Sequence, residues 1–371
     1  MKLACLARRP VPSKHAHAVQ IVKSCEAFAK LGYEATLFAV PGDADPETTY
    51  GRYGVEPRFR IEMPARRFKY FKKRRFVSWL MRRPNFLQAD VYFGRDIASL
   101  AAAASLGKPV IYEAHAIPQP GTRRWRTLER LLNSPNFSHL VCVTSTLAEA
   151  HLRQFPVLAS KPVLIVPNAA ADLPDGAPLA DWSGRPNTIQ VGFVGRPYPG
   201  KGIELMVNAA SALGEIDFHV VGAERDDLDW IEGDLPANIH FHGYQPHGEL
   251  AAFFRRFDIA AAPYGTAVYN ASGVESAAIT CPLKLLEYMA AGLPAVVSDL
   301  PGVRDILSGD NVARIVPPGD LDALVSALRS LAGDPDLRSR LGSAARQSFL
   351  KRHTLESRAR RILEPALAGI A

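Results

Sequence analysis

The sequence predicts an α/β protein of two domains, each a parallel sheet covered by helices. Three observations support this fold class. The chain has 371 residues, which is more than one hydrophobic core usually organises. Short apolar segments alternate with longer amphipathic ones, as strands alternate with helices in a parallel sheet. Residues 171–187, rich in Pro, Gly and Asp, interrupt this alternation, which starts again after them.

The first half of the chain predicts a domain over residues 1–172. We expect strands at residues 2–7 and 34–40, joined by a helix that ends at Gly32, so that the three form a strand–helix–strand unit. Further strands are expected at residues 91–93, 109–112, 140–143 and 163–166, with helices at 97–106 and 146–155.

The second half predicts a similar domain over residues 173–350. Strands are expected at residues 188–194, 218–221, 239–241, 259–262, 295–297 and 313–316, with helices from Gly202 and over 283–291. Three helical segments close the chain, and we expect the last, residues 351–371, to return to the first domain. Ligands of open α/β sheets bind beyond the carboxyl ends of the strands, so two such lobes facing each other would enclose a cleft.

Composition excludes several classes of protein. No window of eighteen uncharged apolar residues exists to span a bilayer, and the N-terminus lacks the pattern of a signal peptide, so we expect a cytoplasmic protein. The four cysteines are far apart, which indicates reduced, mostly buried thiols. A net charge of +7 indicates an anionic partner, which could be nucleic acid, an acidic membrane surface or a phosphorylated substrate.

A glycine-flanked loop follows the first strand of the second domain. Gly195 opens the loop and Gly202 begins a helix, while Arg196 and Lys201 add two positive charges. Glycines let backbone amides approach an anion closely, and a helix N-terminus favours negative charge. The loop therefore predicts a diphosphate site. The alternative is a tight turn with two solvated cations, and the glycine spacing fits neither a Walker A sequence nor a dinucleotide fingerprint.

A second segment, residues 280–294, predicts a phosphate-binding helix N-terminus. Pro282 suits the first turn, where the amides of Leu283 and Lys284 are free to bind phosphate oxygens. Glu287 follows one turn later, and its carboxylate could accept both hydroxyls of a ribose. The alternative is an amphipathic helix with a surface Glu–Lys pair, although a helix this rich in Leu, Met and Ala is expected to be buried.

Together these segments resemble the retaining GT-B glycosyltransferases of the large glycosyl transferases group 1 family. That family includes bacterial mannosyl- and glucosyltransferases of lipopolysaccharide, exopolysaccharide and phosphoinositide-mannoside synthesis. The resemblance covers nearly the whole chain, and its most specific parts are residues 195–202 and 285–302. It also includes residues 12–17, 112–115, 143–145 and 166–168. It implies two Rossmann-like αβα lobes that face a central cleft, an acceptor-binding N-terminal domain and a donor-binding C-terminal domain.

The resemblance also implies roles for individual residues. Arg196 and Lys201 match a basic pair that stabilises the leaving diphosphate, Glu287 matches the glutamate that binds the donor ribose, and His115 matches a histidine near the transferred sugar. Backbone at residues 221–223 and 242–244, including Tyr244, matches the nucleobase pocket. His115 could instead be a core histidine with satisfied hydrogen bonds. Lys14 and His15, in the loop after the first strand, are expected to contact the acceptor.

One position departs from the family pattern. Most relatives carry a second glutamate eight residues before Glu287, and here that position is Ile279, with Glu275 nearby but out of register. We therefore assign no side-chain nucleophile. In this family's retaining chemistry the leaving diphosphate guides the acceptor on the same face of the sugar, so electrostatic stabilisation is the main requirement. No Asp-x-Asp motif occurs, and we expect neither a metal nor a cofactor beyond the nucleotide-sugar donor.

A basic stripe occupies residues 65–83, where aromatic side chains alternate with Lys and Arg and no acid occurs. This composition is typical of a segment that lies on an anionic membrane surface. The alternatives are a solvated helix whose aromatics pack inward and a surface that stacks single-stranded nucleic acid. No nucleic-acid motif supports the latter, so no nucleic acid is expected. The membrane-surface residues are predicted to be Arg66, Arg67, Lys72, Lys73, Arg74, Arg75 and Trp79.

The sequence thus predicts a metal-independent glycosyltransferase on the inner face of the membrane. It would move a sugar from a UDP- or GDP-sugar to a lipid-linked saccharide or another cell-envelope glycan. One alternative is a sugar-nucleotide epimerase of the same fold, which would need additional acid–base carboxylates. The other is a non-catalytic basic protein that binds membrane or nucleic acid, which the combination of Arg196, Lys201 and Glu287 disfavours. The base, the sugar and the acceptor are not readable from the sequence.

Overall fold

The structure is a computed structural model that describes residues 1–13, 16–42, 46–65, 73–174, 176–182, 184–228, 230–231, 234–269, 273 and 275–368. Its contacts divide the chain into two compact units. The first comprises Met1–Asn168 and Leu355–Ala371, and the second Ala169–Thr354. The sequence placed these limits after residues 172 and 350. That the first unit binds the acceptor and the second the donor stays a prediction.

The first unit contains a parallel sheet. Its seven strands within the described residues have the order β3-β2-β1-β4-β5-β6-β7. The strands are β1 Lys2–Val11, β2 Glu34–Pro41, β3 Arg60–Glu62, β4 Val91–Gly94, β5 Val110–Ala114, β6 Phe137–Cys142 and β7 Val163–Ile165. The central strand β4 is apolar throughout because both of its faces are buried, and β5 is buried at every position although it includes Glu113. The edge strand β3 was not predicted, since its sequence Arg-Ile-Glu has no apolar run.

Helices cover this sheet, and several begin at side-chain caps. They are α1 Ala16–Lys30, α2 Pro46–Tyr53, α3 Lys73–Leu80, α4 Pro84–Leu87, α5 Ile97–Ala103, α6 Arg123–Leu132 and α7 Ser145–Gln154. Asp96, Thr122 and Thr144 each accept a hydrogen bond from a backbone amide of the first turn of α5, α6 and α7. Such caps satisfy amides that the helix itself cannot pair.

The second unit repeats the architecture with six strands among its described residues, in the order β10-β9-β8-β11-β12-β13. Its strands are β8 Gln190–Val194, β9 Asp217–Val221, β10 Ile239–Phe241, β11 Ile259–Ala262, β12 Ala295–Ser298 and β13 Arg314–Val316. Its helices are α8 Ile203–Ala212, α9 Leu250–Phe254, α10 Leu283–Ala290, α11 Pro301–Leu307, α12 Leu321–Gly333 and α13 Pro335–Arg352.

The core of the second unit forms one layer on each side of its sheet. Phe193 belongs to one hydrophobic cluster and its neighbour Val194 to the other, and the same alternation separates Ala261 from Ala262. Successive residues of a strand point to opposite faces, so one apolar strand supplies both layers.

The last helix, α14 Leu355–Ala368, belongs to the first unit. It packs against α1 and β6. The ring of His139 in β6 forms a hydrogen bond with the Ile362 carbonyl at 2.8 Å, and the Arg358 Nε donates to the Pro167 carbonyl at 2.9 Å. Buried side-chain hydrogen bonds therefore fix the final helix to its unit, in addition to apolar packing.

Each sheet has one point where the strand order reverses direction. In the first unit this switch point lies between β1 and β4, and in the second between β8 and β11. Parallel strands leave room there, beyond their carboxyl ends, because the following connections diverge to opposite faces. Arg95 follows β4 directly, and Gly195 follows β8 directly. Both positions are therefore candidates for a ligand site.

Candidate functional site

The loop after β8 is tightly folded, and two of its glycines are conformationally required. Gly200 has φ +74° and Gly202 has φ +107°. A Cβ at Gly200 would lie 1.8 Å from the Ala267 carbonyl oxygen, and one at Gly202 would lie 2.4 Å from that of Pro263. The amide of Gly200 donates to the Glu204 carboxylate at 2.8 Å. The backbone of this loop is therefore held close to the segment that follows β11.

Arg196 and Lys201 lie beside aromatic rings. The Arg196 guanidinium carbon is 5.6 Å from the ring centre of Tyr244, and the Lys201 Nζ is 5.7 Å from that of Tyr264. Burial lowers the pKa of Lys201. Neither cation forms an ion pair with a carboxylate among the described residues. Two positive charges thus stand beside the switch point without an anionic side-chain partner.

Lys284 adds a third cation, which the sequence analysis assigned only through its backbone amide. Its Nζ lies 3.7 Å from the ring centre of Phe193 and donates to the Lys201 carbonyl at 3.4 Å. A Cβ on Gly195 would lie 3.3 Å from this Nζ, so the absence of a side chain there makes room for the ammonium. Burial, followed by repulsion from Lys201, holds the pKa of Lys284 well below its ordinary value. A lysine in an otherwise apolar helix was the available sequence signal.

Glu287 is paired in the structure. Its Oε1 lies 3.0 Å from Nε2 of His247, and its side chain is 13% exposed. The sequence analysis expected a carboxylate available for ribose and did not identify His247, which has no helical or motif spacing to Glu287. This contact uses one carboxylate oxygen.

The nucleobase residues predicted from the resemblance lie on neighbouring turns. Gly222 donates its amide to the Gly243 carbonyl at 2.7 Å, and Gly243 donates to the Ala223 carbonyl at 3.0 Å. These bonds bring the two backbone segments together beyond β9 and β10. Tyr244 is 58% exposed, and its ring lies beside the Arg196 guanidinium.

Ile279 occupies the position where most relatives carry a glutamate, and the nearby Glu275 is engaged in a local contact. Ile279 ends a short 3-10 turn, Ala277–Ile279. The Glu275 carboxylate accepts a hydrogen bond from the Ala277 amide at 2.6 Å, so it caps this turn. Glu275 therefore has a local structural role that accounts for its position.

His115 lies in the first unit, beside a buried ionic cluster. Its Nε2 is 2.5 Å from the Glu113 Oε1, which also accepts from Arg95 at 2.7 Å. Arg358 of α14 lies 3.0 Å from the same oxygen. Burial, and then the charge of Arg95, lower the pKa of His115 to about 4. The sequence analysis named His115 but not Glu113, two residues before it, nor Arg95 and Arg358, which reach Glu113 from other elements that the motif does not reveal.

His17 joins this cluster at the start of α1. Its Nδ1 lies 3.1 Å from Nη1 of Arg95. Burial and the Arg95 charge lower the pKa of His17 to about 3. His17 closes the segment of residues 12–17 on which part of the family resemblance rests, but it was not predicted as a site residue.

Several predicted residues lie outside the described part of the chain. These are Lys14 and His15 of the acceptor prediction, and Arg66, Arg67 and Lys72 of the membrane prediction. Lys73 and Arg74 begin α3, but their side chains also lie outside the description. Arg75 is exposed. Trp79 stacks on the buried ring of Phe76 at 5.7 Å, so in α3 these two aromatics pack onto the first unit.

Across the described residues, no three His, Cys, Asp or Glu side chains are grouped as metal ligands. Within the same ranges, no helix has the length and apolar character needed to cross a bilayer.

Comparison with known proteins identifies the family of this chain. Residues 18–170 match the model described as Glycosyltransferase Family 4, and residues 188–334 match the model described as Glycosyl transferases group 1. The chain belongs to the glycosyl transferases group 1 family. The second match spans β8 to α12 and includes the loop after β8 and all of α10. The family predicted from the sequence is thus confirmed.

Curated relatives include mannosyltransferases. The chain is 30% identical over 192 residues to a phosphatidyl-myo-inositol mannosyltransferase of Mycolicibacterium smegmatis, a match that covers 48% of this chain and 46% of the relative. It thus spans about half the length of that relative. A GDP-mannose-dependent alpha-mannosyltransferase of Mycobacterium tuberculosis is 25% identical, with 95% of this chain and 93% of the relative covered.

Solved structures of glycosyltransferases share the fold over the whole chain. A glycosyltransferase from Rickettsia africae aligns with a TM-score of 0.73 and 14% identity over 100% of this chain and 99% of its own. Anabaena HepE in complex with UDP-glucose aligns with a TM-score of 0.68 and 13% identity over 98% and 99%. Together with the two parallel sheets, these likenesses confirm the predicted GT-B fold class.

Proposed function

We propose that the protein is a retaining glycosyltransferase that moves a sugar from a nucleotide-diphosphate sugar, UDP- or GDP-linked, to a glycan acceptor. The observation that carries the proposal is the set of three cations, Arg196, Lys201 and Lys284, around the loop after β8. None of them forms an ion pair with a carboxylate among the described residues, although Glu287 and Glu204 attract Lys284 from a longer distance, and they lie at a switch point. Cations without an ion-pair partner at such an edge favour a multiply charged anion, and a diphosphate has that charge.

Stabilisation of the leaving diphosphate is the chemical task of these cations. During transfer the bond between the anomeric carbon and the diphosphate oxygen breaks, and a bond from the acceptor oxygen to that carbon forms. The acceptor hydroxyl passes its proton to the departing diphosphate oxygen on the same face of the sugar. Negative charge grows on the diphosphate as this happens, so fixed positive charges lower the barrier. The same cations can perform this task without a divalent metal, and we propose a metal-independent reaction.

Glu287 and Tyr244 complete the donor site in this proposal. The Glu287 carboxylate would accept hydrogen bonds from the ribose hydroxyls, with its pairing to His247 fixing its position. Tyr244 would stack on the base, beside the backbone of residues 221–223. Leu283 and Lys284 would offer the first amides of α10 to the phosphates.

The acceptor side of the proposal belongs to the first unit. His115 would contact the transferred sugar and its acceptor, and Lys14 and His15 would contact the acceptor. A lipid-linked acceptor would place the enzyme on the inner face of the membrane, where the basic stripe of residues 65–83 attracts anionic lipids. The phosphatidylinositol relative named above supports an acceptor of this kind.

Donor binding is tested by the thermal stability of the protein in the presence of UDP, GDP, UDP-glucose and GDP-mannose. A ligand that binds the native state alone raises its unfolding free energy by about 2.7 kcal/mol at a hundred times its Kd. We expect one nucleotide to raise the melting temperature, and Lys201→Gln and Arg196→Gln to lose most of this increase. Arg329→Gln, an exposed site on α12, is the matched control. No increase with any of the four ligands would reject the donor assignment.

Glu287→Gln tests the ribose contact separately. We expect it to weaken nucleotide binding by about 1–3 kcal/mol, because a charged acceptor of two hydroxyls is replaced by a neutral amide. Equal affinities of the variant and the wild type for the same nucleoside diphosphate would remove Glu287 from the donor site.

A further inference from the structure

The first unit contains a buried ionic cluster whose purpose the proposed transfer does not explain. Glu113 at the end of β5 is fully buried, and Arg358 of α14 is 3% exposed at the side chain. Arg95, after β4, is 10% exposed. Burying one carboxylate with two guanidiniums costs desolvation energy that apolar residues of similar volume would avoid. The cluster therefore calls for an explanation other than stability.

We propose that Glu113, held in place by Arg95 and Arg358, is a positioning residue that fixes His115 as the Nε2–H tautomer. In that tautomer, Nδ1 of His115 is a hydrogen-bond acceptor, and it would accept from a hydroxyl group of the sugar. This inference rests on the proposed function, since it specifies how His115 would act there.

The hydrogen-bond geometry determines which nitrogen carries the proton. Glu113 Oε1 accepts from Arg95 at 2.7 Å, is approached by Arg358 at 3.0 Å and lies 2.5 Å from Nε2 of His115. Two arginines keep the carboxyl ionised, and they hold its pKa well below its ordinary value against the opposing effect of burial. An ionised carboxylate accepts hydrogen bonds only. The nitrogen that faces it must therefore be the donor, which makes His115 an Nε2–H imidazole.

The surrounding charges also keep the ring neutral. Burial and the charges of Arg95 and Arg358 disfavour the imidazolium, Glu113 alone among the causes favours it, and the pKa of His115 is lowered to about 4. A neutral ring with its proton on Nε2 has an unprotonated Nδ1. The His115 side chain is 33% exposed although Glu113 is not exposed at all, so one edge of the ring faces solvent.

The tautomer of His17, on the other side of Arg95, also follows from its hydrogen-bond partner. Its Nδ1 lies 3.1 Å from Arg95 Nη1, and arginine only donates, so Nδ1 of His17 accepts and Nε2 carries the proton. That Nε2 is buried without a protein partner among the described residues, as is Oε2 of Glu113. The cluster lies at the β1/β4 switch point, where ligands of such sheets bind, and it leaves these two buried polar atoms without a partner among the described residues.

Arg358 connects the ionic cluster around Glu113 to the last helix, α14. Its Nε donates to the Pro167 carbonyl at 2.9 Å while its Nη2 lies 3.0 Å from Glu113 Oε1. The last helix thus supplies one of the two cations that hold Glu113. Arg361, three residues later on the same helix, donates instead to the Ile165 carbonyl at 2.8 Å and is not part of the cluster.

Nitrogen-15 NMR of the histidine rings in the full-length protein tests the tautomer without any assay of transfer. Signals of His115 are assigned by their loss in His115→Gln. We expect the neutral Nε2–H pattern at pH 7. His151 is an internal reference, because its Nδ1 lies 2.8 Å from the Leu147 carbonyl and must carry the proton. A His115 signal of the Nδ1–H type, or a charged ring at pH 7, would overturn the proposal.

Variants of Arg358 test the positioning role and do not leave the buried Glu113 without any cation. In Arg358→Met, removing one positive charge should move the pKa of His115 upward from about 4, and Arg358→Lys should restore most of the wild-type titration. Arg361→Met, on the same helix, should leave the titration unchanged. If Arg358→Met and Arg361→Met titrate alike, Arg358 does not act on His115.

Kinetics distinguish the failure of this inference from that of the proposed function. Glu113→Gln and His115→Gln should each lower kcat about tenfold with little change in KM for the nucleotide sugar, because the loss of one hydrogen bond to the reacting sugar has that scale. The double variant should be no slower than His115→Gln alone, since Glu113 acts through His115. Additive losses would overturn the positioning role. Failure of nucleotide binding in the wild type would reject the proposed function instead.

Discussion

The hydroxyl of Tyr288 joins β8 and β11 at the switch point of the second sheet. It accepts a hydrogen bond from the Val194 amide at 3.0 Å and donates one to the Ala261 carbonyl at 3.2 Å. The backbone pairing between β8 and β11 joins Ile259 with Val191 and Ala260 with Gly192. Beyond these pairs, the Tyr288 hydroxyl connects the two strands. Since Gly195 follows Val194 directly, this contact also fixes the start of the loop that carries Arg196 and Lys201.

Tyr288→Phe should destabilise the second unit by about 2 kcal/mol. The ring is completely buried, so the apolar packing stays and only the hydroxyl is lost. Removing one partner of a buried hydrogen bond costs about 1–3 kcal/mol, because a donor or acceptor is left without a partner. For a unit of this size, 2 kcal/mol corresponds to a decrease in melting temperature of roughly 4–8 °C.

Differential scanning calorimetry measures this change, with Tyr244→Phe as the control. Tyr244 lies in the same unit and is 58% exposed, so water can replace its hydroxyl contacts, and a change below about 0.5 kcal/mol is expected. A melting temperature of Tyr288→Phe within one degree or so of the wild type would refute the reasoning. Such a result would mean that the strands close without the hydroxyl.

Three further predictions concern charge and backbone geometry. Lys284→Met should weaken nucleoside diphosphate binding without lowering the melting temperature, because it removes a buried charge that a bound diphosphate would pair with; titration calorimetry measures the affinity. The unfolding free energy of the second unit should decrease below pH 6.5, because His219 takes up a proton when the protein unfolds, whereas in the folded protein its pKa is about 3. At pH 5 the decrease amounts to about 2 kcal/mol. In urea titrations, the unfolding free energy of His219→Phe should depend less on pH than that of the wild type. Gly202→Ala should lower the melting temperature more than Gly214→Ala, because the added Cβ meets the Pro263 carbonyl at 2.4 Å whereas Gly214 has open space.

Much of the fold was predictable because its sheets are parallel and covered on both faces. Such strands are apolar throughout, as β4 and β11 are, and they stand out against the amphipathic helices between them. The strand β3 was missed because an edge strand needs no apolar run. Periodicity identifies strands and helices along the chain, but strand order within each sheet was not predicted, and it is strand order that places the switch points.

The parts of the candidate site formed by residues close in sequence were predictable, and the contacts between residues far apart in sequence were not. The loop from Gly195 to Gly202 and the start of α10 are local patterns, and their backbone geometry follows from the positions of Gly and Pro. The pairs Glu287–His247 and Glu113–Arg358 join residues far apart in the chain. No spacing rule connects such residues, since their contact depends on the order of strands and on the return of α14. The surroundings of the Lys284 side chain were not predicted for the same reason, because its aromatic neighbours come from β8 and from the segment after β11.

The two switch points differ in how their charges are compensated, and this difference indicates what each can bind. In the second unit Arg196, Lys201 and Lys284 form no ion pair with a carboxylate among the described residues, so an anionic ligand would gain charge-assisted hydrogen bonds there. In the first unit Glu113 already pairs with Arg95 and Arg358, and a second anion there would compete with a buried carboxylate. The group presented to solvent is instead the edge of a neutral imidazole, which favours an uncharged hydroxyl.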